Sequence, residues 1–357
     1  MSKALVIGSE GNVGTRLVEH LRNVGWDVLE SDILPRWRPN YLIADIGNPL
    51  DLIPAFDWKP DVVFLLAAAV GRTVCEQAPS MSIQTNLAGV NNVLQLCRRS
   101  DCKIVFFSSS EVYGPVANPM DEATTIPQPN NRYGLSKWLG EHLVEYEVRH
   151  AGLRAVTLRP CMIYDEKEQV GEHRSAMIRF ASNLARGRAI QVHRGSQRGW
   201  LHVLDAVRGI EAAARVDEYA AINIGHPRVM PMLELAEMIA AELDVDPSLI
   251  EISDLPTNMT LVKYPALARQ RELLHFEPRI DVEEGVRRVC ALQARMAAAE
   301  CAAAHAATNA APVAASMAAP VTAPVTAPVA APVAAPVAAP VTAATRRPLH
   351  QPELAAS

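Results

Sequence analysis

Apolar residues in the first 160 positions alternate between short continuous runs and longer segments with helical spacing. The continuous runs are typical of strands that are buried on both faces of a sheet. The intervening segments repeat apolar residues every three or four positions, which predicts amphipathic helices. Predicted strands cover residues 4–7, 28–31, 62–66, 104–107 and 155–158, and predicted helices cover 11–23, 86–99 and 133–150. This alternation predicts an α/β fold with a Rossmann-type, doubly wound parallel sheet.

The pattern becomes less regular after residue 160. Residues 174–186, 205–215 and 231–243 have helical spacing, whereas 200–203 and 221–224 are strand candidates. We expect a Rossmann domain over 1–165, to which the chain returns at about 200–225, and a mainly substrate-binding lobe over 166–297. A small ligand would bind in the cleft between the two.

The last segment, residues 298–357, consists mostly of Ala, Pro, Val and Thr in near-repeats such as Ala-Pro-Val-Ala. Repeated prolines remove backbone donors and fix φ, so a packed core is not expected there. We expect this tail to be disordered or polyproline-like. It is either a dispensable extension or a tether for a partner.

Charge and cysteine content exclude several classes of protein. The 357 residues include 34 Lys plus Arg and 39 Asp plus Glu, a net charge of −5, which argues against a nucleic-acid partner. Six scattered cysteines form no C-x-x-C pair, and H-E-x-x-H is absent, so no metal site is predicted. No apolar run is long enough for a membrane span, and the first strand leaves no room for a targeting peptide. The expected location is cytoplasmic.

A glycine-rich segment follows the first predicted strand and opens the first predicted helix. Gly8, Gly11 and Gly14 have the spacing G-x-x-G-x-x-G. Glycines there permit a tight turn, close approach of the backbone to a pyrophosphate, and close packing of the helix. The helix start at Asn12 and Val13 supplies free N–H groups and a positive dipole end. The segment is therefore a candidate dinucleotide-binding loop.

An acidic residue follows the second predicted strand. Asp32 lies 24 positions after Gly8. A carboxylate there accepts both ribose hydroxyls of NAD and repels a 2′-phosphate, so we predict NAD rather than NADP. Arg36 and Arg38, just beyond, could soften that preference.

The candidate catalytic residues lie in two segments. Tyr133 and Lys137 are four positions apart and therefore share a helix face. A free tyrosine has a pKa of about 10. The positive charges of Lys137 and of the nicotinamide would lower this pKa and favour the phenolate. Ser109 follows a buried strand and therefore lies at the carboxyl edge of the sheet, where ligands bind. A serine there can hydrogen-bond a substrate hydroxyl while the tyrosine takes its proton.

These motifs, in this order, resemble the extended short-chain dehydrogenase/reductase family, specifically its NAD-dependent sugar-nucleotide epimerase/dehydratase branch, over about residues 1–290. The stretch from Ser196 to Val203 resembles the branch's Q-x-R-D-[FY]-[VI]-H-V, which implies that Arg198 contacts the substrate diphosphate; an ordinary surface charge is the alternative. The resemblance implies cofactor contacts by Asp45, Ile46, Leu66, Ala67, Ala68, Asn86, Ser108, Tyr133, Lys137 and Pro160, and substrate contacts by Ser109, Ser110, Glu111, Tyr133, Met162 and Arg198.

The family resemblance leaves the reaction open. Oxidation at C4 of a nucleoside-diphosphate sugar is common to the branch, and a nucleotide-sugar 4-epimerase is our leading hypothesis. Glu111 is compatible with a base for a 4,6-dehydratase or a decarboxylase, or with a structural or solvent-facing role. A 4-ketoreductase and a non-catalytic NAD-binding protein are further alternatives.

Three positions depart from the branch pattern. Met162 replaces a substrate-contacting asparagine, Asp165 replaces a glycine, and residues 262–265 stand near the place of an R-x-G-D-type segment. We therefore expect altered recognition of the sugar and base. The branch usually forms homodimers through paired helices, for which 90–94 and 138–143 are candidates, although the same apolar positions could be core.

Overall fold

The computed structural model describes residues 1–116, 119–169, 171, 175–256 and 259–314. Its strands are β1 (Lys3–Ile7), β2 (Asp27–Asp32), β3 (Tyr41–Ile43), β4 (Val62–Leu65), β5 (Lys103–Phe107), β6 (Ala155–Pro160), β7 (Ile163–Tyr164), β8 (Ile190–His193), β9 (Gln197–Gly199), β10 (Leu201–His202), β11 (Ala221–Ile224), β12 (Val229–Pro231), β13 (Ile250–Ser253) and β14 (Val262–Lys263). Its α-helices are α1 (Asn12–Asn23), α2 (Pro49–Asp57), α3 (Arg72–Gln77), α4 (Pro79–Ile83), α5 (Val90–Ser100), α6 (Arg132–Ala151), α7 (Ala176–Leu184), α8 (Val203–Ala213), α9 (Met232–Glu242), α10 (Ala268–Leu274) and α11 (Val282–Ala314).

Seven strands form one parallel sheet in the order β11-β6-β5-β4-β1-β2-β3. The chain builds outward from β1 to β3 and then crosses back to add β4 on the other side, so the strand order reverses between β1 and β4. In doubly wound sheets, ligands bind outside the carboxyl ends of the strands at such a reversal. The predicted Rossmann-type α/β class is confirmed.

Two apolar clusters cover the faces of this sheet, which explains why its strands are continuously apolar. One joins inward residues of β1, β4 and β6 to α1 and α8. The other packs α2, α5 and α6 on the opposite face. Burial of both faces requires apolar side chains at successive positions of each central strand.

A third apolar cluster lies in the C-terminal half of the described chain. It packs α7, α9 and the first part of α11 around Tyr164 and Trp200, both fully buried. Two small sheets border it, one in the order β12-β9-β14 and one that pairs β13 with β8. Between these segments the chain re-enters the large sheet, where β11 pairs in parallel with β6.

Several boundaries differ from the sequence prediction. The segment predicted as a helix over 86–99 starts with a π-helical turn, Gln84–Gly89, before α5. The strand predicted over 200–203 is shorter, because Val203 already begins α8. The helix predicted over 174–186 is observed as α7, and Arg174 lies outside the described residues.

The predicted disordered tail from 298 is wrong for its first part. Helix α11 continues from Val282 through the alanine-rich stretch to Ala314. Alanine is the strongest helix former, and residues 297–311 contain no proline, so the change in composition does not end the helix. The proline repeats beyond 314 lie outside the described residues.

Candidate active site

The loop after β1 has a backbone that only glycine can follow at two positions. Gly8 has φ of +93°, and a Cβ atom there would lie 2.5 Å from the amide nitrogen of Ala67. A Cβ atom at Gly14 would lie 2.1 Å from the carbonyl oxygen of Gly8. The loop thus packs directly on the segment after β4, and at the N-cap Gly11 no side chain caps the first turn of α1. Such a turn leaves N–H groups for a pyrophosphate.

A cavity of about 350 Å³ lies beside this loop at the carboxyl edge of β1 and β4. Eight of the predicted cofactor residues line it: Gly8, Gly11, Asp32, Asp45, Ile46, Leu66, Ala67 and Ala68. The other lining residues, which the sequence did not single out, are Ile7, Ile33, Ala44, Val70, Met81 and Thr85. An apolar cavity with a glycine cradle and a carboxylate at its wall fits a dinucleotide such as NAD.

Asp32 is held in place by two backbone donors. Its Oδ2 accepts from the Glu10 N–H at 2.9 Å, and its Oδ1 accepts from the Leu34 N–H at 3.1 Å. A carboxylate offers about four acceptor sites, so two such bonds leave acceptor capacity for ribose hydroxyls. The geometry fits the predicted role of this residue.

Asn86 forms hydrogen bonds that connect the segment after β4 with helix α6. Its side chain accepts from the Ala69 N–H at 2.8 Å and donates to the Ala69 carbonyl at 3.0 Å and to the Ser136 hydroxyl at 2.9 Å. The amide is buried and lies in the π-helical turn, a form of helix that is frequent at functional sites. Asn86 therefore shapes the cavity wall through the backbone. Of the other predicted cofactor residues, Asn12 and Val13 begin α1 and Pro160 ends β6.

Helix α6 brings Tyr133 to Ser109. The helix is capped by Asn131, whose Oδ1 accepts from the Gly134 N–H at 2.9 Å. The Tyr133 phenol lies within side-chain hydrogen-bonding range of Ser109. Burial raises the pKa of Tyr133, and the hydrogen bond with Ser109 opposes this rise only in part.

Lys137 lies one turn further along α6 and is buried. Its Nζ donates to the Phe107 carbonyl at 2.7 Å, at the carboxyl end of β5. Burial lowers the pKa of Lys137 to about 8. The expected lowering of the Tyr133 pKa by this lysine is not seen, because burial of the phenol dominates and the ammonium is directed at the backbone. A bound nicotinamide would supply a second positive charge to favour the phenolate.

Ser108 and Ser110 are not among the residues that line the cofactor cavity. The Ser108 hydroxyl donates to Glu141 Oε1 at 2.5 Å, and Glu141 pairs with Arg159 at 2.7 Å in the interior. Ser110 lies within side-chain hydrogen-bonding range of Cys161. The structure therefore gives Ser108 a buried structural partner where the family resemblance implied cofactor, because the strand-end serines alternate in direction.

A second cavity, of about 230 Å³, contains the predicted substrate residues Glu111, Met162 and Arg198. Three cationic side chains that sequence reasoning missed also line it: Arg72, Arg179 and Lys263. The remaining lining residues are Ser175, Ala176, Phe180, Gln191, His193, Ser196, Met232 and Met259. Only Lys263 carried a sequence signal, since it lies in the segment that departs from the family pattern.

Lys263 forms a buried ion pair with Glu111. Its Nζ contacts Glu111 Oε1, and Glu111 Oε2 accepts from Asn131 Nδ2 at 3.0 Å. Burial alone would raise the pKa of Glu111, but the charges of Lys263 and Arg72 outweigh it and lower the pKa to about 2. Both carboxylate oxygens are thus engaged, and the group is ionised at neutral pH.

Arg198 is anchored by backbone carbonyls. Its guanidinium donates to Gln197 O at 2.7 Å, Leu261 O at 2.8 Å and Thr260 O at 2.7 Å. Only 8% of the residue is exposed, and burial lowers its pKa to about 10. Arg198 is therefore a fixed cation in the wall of the second cavity, and the alternative of an ordinary surface charge is wrong.

Met162 and Asp165, which depart from the family pattern, have different structural environments. Met162 has φ of 45°, in the left-handed region that asparagine adopts more easily. Asp165 is buried and forms a bidentate pair with Arg16 of α1, at 2.6 Å and 2.9 Å. The carboxylate thus joins the segment after β7 to the helix that follows the glycine loop, a contact that sequence reasoning missed.

Among the described residues, no group of three or more His, Cys, Asp or Glu side chains is arranged to hold a metal ion. Over the same ranges, every helix is too short or too polar to cross a membrane.

Two curated relatives of this chain carry the names of nucleotide-sugar enzymes. UDP-glucuronic acid decarboxylase 6 of Arabidopsis thaliana is 28% identical over 298 residues, which cover 80% of this chain and 86% of the relative. A putative UDP-glucose 4-epimerase of Methanocaldococcus jannaschii is also 28% identical over 298 residues, covering 80% and 96%.

Solved structures share the fold. A UDP-glucose 4-epimerase from Thermotoga maritima with UDP-glucose has a TM-score of 0.76 at 23% identity, covering 82% of this chain and 99% of that chain. The Thermus thermophilus UDP-glucose 4-epimerase with NAD has a TM-score of 0.72 at 23% identity, covering 82% and 98%.

A family model matches more than half of the chain. The model for the NAD dependent epimerase/dehydratase family covers residues 4–225, which include the glycine loop, Tyr133 and Arg198. The predictions of an NAD cofactor and of an enzyme are confirmed by this match. The chain therefore belongs to the NAD-dependent epimerase/dehydratase family of the extended short-chain dehydrogenases/reductases.

Proposed function

We propose that the protein is a 4-epimerase of a nucleoside-diphosphate sugar, with a UDP-sugar as the first candidate substrate. One observation favours epimerisation over elimination. Glu111 is the only carboxylate among the described residues that line the second cavity, and Lys263 and Asn131 engage both of its oxygens. A 4,6-dehydratase needs a base at C5, and a carboxylate with a pKa near 2 is a weak base.

The residues around Tyr133 supply what epimerisation requires. Tyr133 takes the proton of the C4 hydroxyl while Ser109 hydrogen-bonds that hydroxyl, and the same phenol later returns the proton. Lys137, largely protonated at neutral pH with a pKa of about 8, donates to the Phe107 carbonyl, so the positive charge of a bound nicotinamide is the cation left to favour the phenolate. When bound, NAD accepts the hydride from C4 and supplies it again for the return step. Inversion then requires only that the 4-keto sugar present its other face.

The second cavity supports a substrate with a diphosphate. Arg198 is fixed by the carbonyls of Gln197, Thr260 and Leu261, so its guanidinium is preorganised for phosphate oxygens. The two curated relatives carry names that specify UDP-sugars, which supports uridine as the base.

Product analysis tests the proposal directly. Purified protein is incubated in D₂O with UDP-, dTDP-, GDP- and CDP-sugars, and the products are identified by NMR. We expect a C4 epimer without deuterium at C5, in wild type and in Glu111→Gln alike. Deuterium at C5 that disappears in Glu111→Gln would instead identify Glu111 as an elimination base. Net consumption of added NADH with a keto sugar would indicate a 4-ketoreductase.

A second candidate is decarboxylation of a UDP-uronic acid, because the second cavity is rich in cations. Its described lining includes Arg72, Arg179, Arg198 and Lys263 against the single carboxylate of Glu111. A sugar carboxylate would add a third negative charge to those of the diphosphate and suit this excess. After oxidation at C4, the C5–C6 bond would break, CO₂ would leave, and C5 would take a proton.

UDP-glucuronic acid as the substrate distinguishes the two candidate reactions. A decarboxylase releases CO₂ and gives a pentose nucleotide, whereas a 4-epimerase retains C6 and gives the galacto isomer. Release of CO₂ as the main reaction would replace our first proposal with the second.

We also propose that the protein forms a homodimer through α6. Leu135 and Leu139 lie one turn apart on this helix and are 42% and 38% exposed. Light scattering of the purified chain tests this proposal, and a monomer at micromolar concentration would contradict it.

A further inference from the structure

Glu10, between Gly8 and Gly11 of the glycine loop, lies in a group of charges beside the cofactor cavity. Its Oε2 accepts from Arg36 Nε at 2.7 Å, and its Oε1 accepts from the Arg38 guanidinium at 2.5 Å. One glutamate thus binds two arginines that follow β2. The Glu10 side chain is only 12% exposed, whereas those of Arg36 and Arg38 are 47% and 39% exposed.

Arg38 has a second carboxylate partner in Glu30 of β2. Its Nε donates to Glu30 Oε1 at 3.2 Å, and its terminal nitrogen also contacts Glu30 Oε2. Glu30 is nearly fully buried and pairs in addition with Arg22 at 2.7 Å. The position of Arg38 is therefore determined by two carboxylates.

The backbone of the same glutamate is hydrogen-bonded to Asp32, the predicted ribose-binding residue. The Glu10 N–H donates to Asp32 Oδ2 at 2.9 Å. Both guanidinium groups thus pair with the residue whose backbone N–H donates to Asp32, the carboxylate predicted to accept the ribose hydroxyls. Arginines near this point of a dinucleotide fold accommodate a 2′-phosphate, because the planar guanidinium matches phosphate oxygens.

We propose that Glu10 is a cofactor-specificity residue: it binds Arg36 and Arg38 in ion pairs and so keeps their guanidinium groups from a 2′-phosphate. Selection of NAD over NADP then depends on two carboxylates with different roles. Asp32 repels the 2′-phosphate directly, and Glu10 pairs with the two arginines that would otherwise offset this repulsion. The sequence shows the arginines next to Asp32, but only the structure shows that they are already paired.

Cofactor binding, not turnover, tests this proposal. Affinities for NAD and NADP are measured by isothermal titration calorimetry on the full-length chain freed of bound nucleotide, and the shift of the melting temperature with each nucleotide is a second readout. We expect Glu10→Gln to bind NADP about tenfold more tightly than wild type, since one freed guanidinium gains a charge-assisted bond. NAD affinity should change much less.

Two controls separate release of the arginines from a general loss of negative charge. Glu19→Gln removes a carboxylate of α1 that pairs with Arg16 at 3.2 Å and should leave NADP binding unchanged. Adding Arg36→Met and Arg38→Met to Glu10→Gln should return NADP affinity to the wild-type value. A gain that persists in this triple variant, or no gain in Glu10→Gln, would overturn the proposal.

A further variant keeps the test decisive if Glu10→Gln does not fold. Arg36→Met with Arg38→Met in an otherwise unchanged chain should alter NADP affinity less than twofold, because both arginines are already engaged. A loss of NADP affinity of about tenfold or more in this variant would show that the arginines already bind the 2′-phosphate, and would contradict the proposal.

Discussion

The cofactor cavity and the substrate cavity are built in different ways. The first is built around the glycine loop and the backbone at the ends of β1 and β4, with Asp32 and Asp45 as the charged residues among its described lining. The second is made of side chains from at least five separate segments, and its charges include the buried pair Glu111–Lys263. Backbone sites require glycines at fixed spacing, which a sequence displays, whereas partners in a side-chain site can come from anywhere in the chain.

This difference separates what is shared within the family from what is particular to this chain. The positions that depart from the family pattern, Met162 and the segment around Lys263, both contribute to the second cavity. Asp165, the third departure, does not line it and forms a buried pair with Arg16. We therefore expect changes in the second cavity to affect substrate choice and stability, and changes near Tyr133 to affect the chemistry itself.

The largest expected effect is that of Tyr133→Phe. Without the phenol oxygen no group takes the C4 hydroxyl proton, so kcat should fall by about 10²-fold to 10⁴-fold. NAD binding should remain. Initial rates by coupled assay and NAD affinity by calorimetry measure both effects. Tyr146→Phe, at a tyrosine of α6 that is 61% exposed, is the matched control. Substantial turnover in Tyr133→Phe would contradict the proposed role.

Removing the lysine of the Glu111–Lys263 pair should strongly destabilise the fold. Lys263→Met leaves a carboxylate that is 12% exposed without its cation, so the free energy of unfolding should fall by about 3–5 kcal/mol. The double variant with Glu111→Gln should recover much of this loss, because no unpaired charge remains. Urea denaturation of wild type, Lys263→Met, Glu111→Gln and the double variant completes the cycle. Equal destabilisation in the single Lys263→Met and the double variant would show that the ion pair is not the cause.

Because of the Glu111–Lys263 ion pair, we also expect the protein to lose stability in acid. The pKa of Glu111 is lowered from its ordinary 4.5 to about 2, so the unfolded state binds the proton first. The contribution of this carboxylate is present above pH 4.5 and is lost as the pH falls through 2, by up to about 3 kcal/mol. Denaturation curves at pH 6 and below should show this loss in wild type and a smaller one in the double variant. Parallel pH dependences of the two proteins would refute the assignment.

The smallest expected effect is that of Met162→Asn. At φ of 45° asparagine is less strained than methionine, so stability should rise by about 1 kcal/mol or less. Because residue 162 lines the second cavity, KM for the sugar nucleotide should change more than kcat. Melting temperature and steady-state kinetics measure the two effects. Lowered stability would mean that methionine packing outweighs backbone strain at this position.

The sequence was sufficient for the elements that local patterns specify. Continuous apolar runs gave β1, β4, β5 and β6, because burial of both sheet faces leaves no polar position. It was insufficient for the edge strand β3, whose three residues are too few to show a pattern, and for the short strands of the C-terminal half, whose partners are distant in sequence. It also misjudged α11, because a compositional change at 298 suggested an end that helix propensity does not require.

The residues of the candidate site show the same contrast between local patterns and distant partners. The glycine loop, Asp32 and the Ser109–Tyr133–Lys137 set could be named from the sequence, because turn geometry, strand ends and helical spacing are local properties. The tertiary structure alone decided that Lys263 engages Glu111, that Asp165 pairs with Arg16, and that Glu10 binds Arg36 and Arg38. Those pairs join residues up to 152 positions apart, and an electrostatic interaction depends on distance in space, not on separation along the chain.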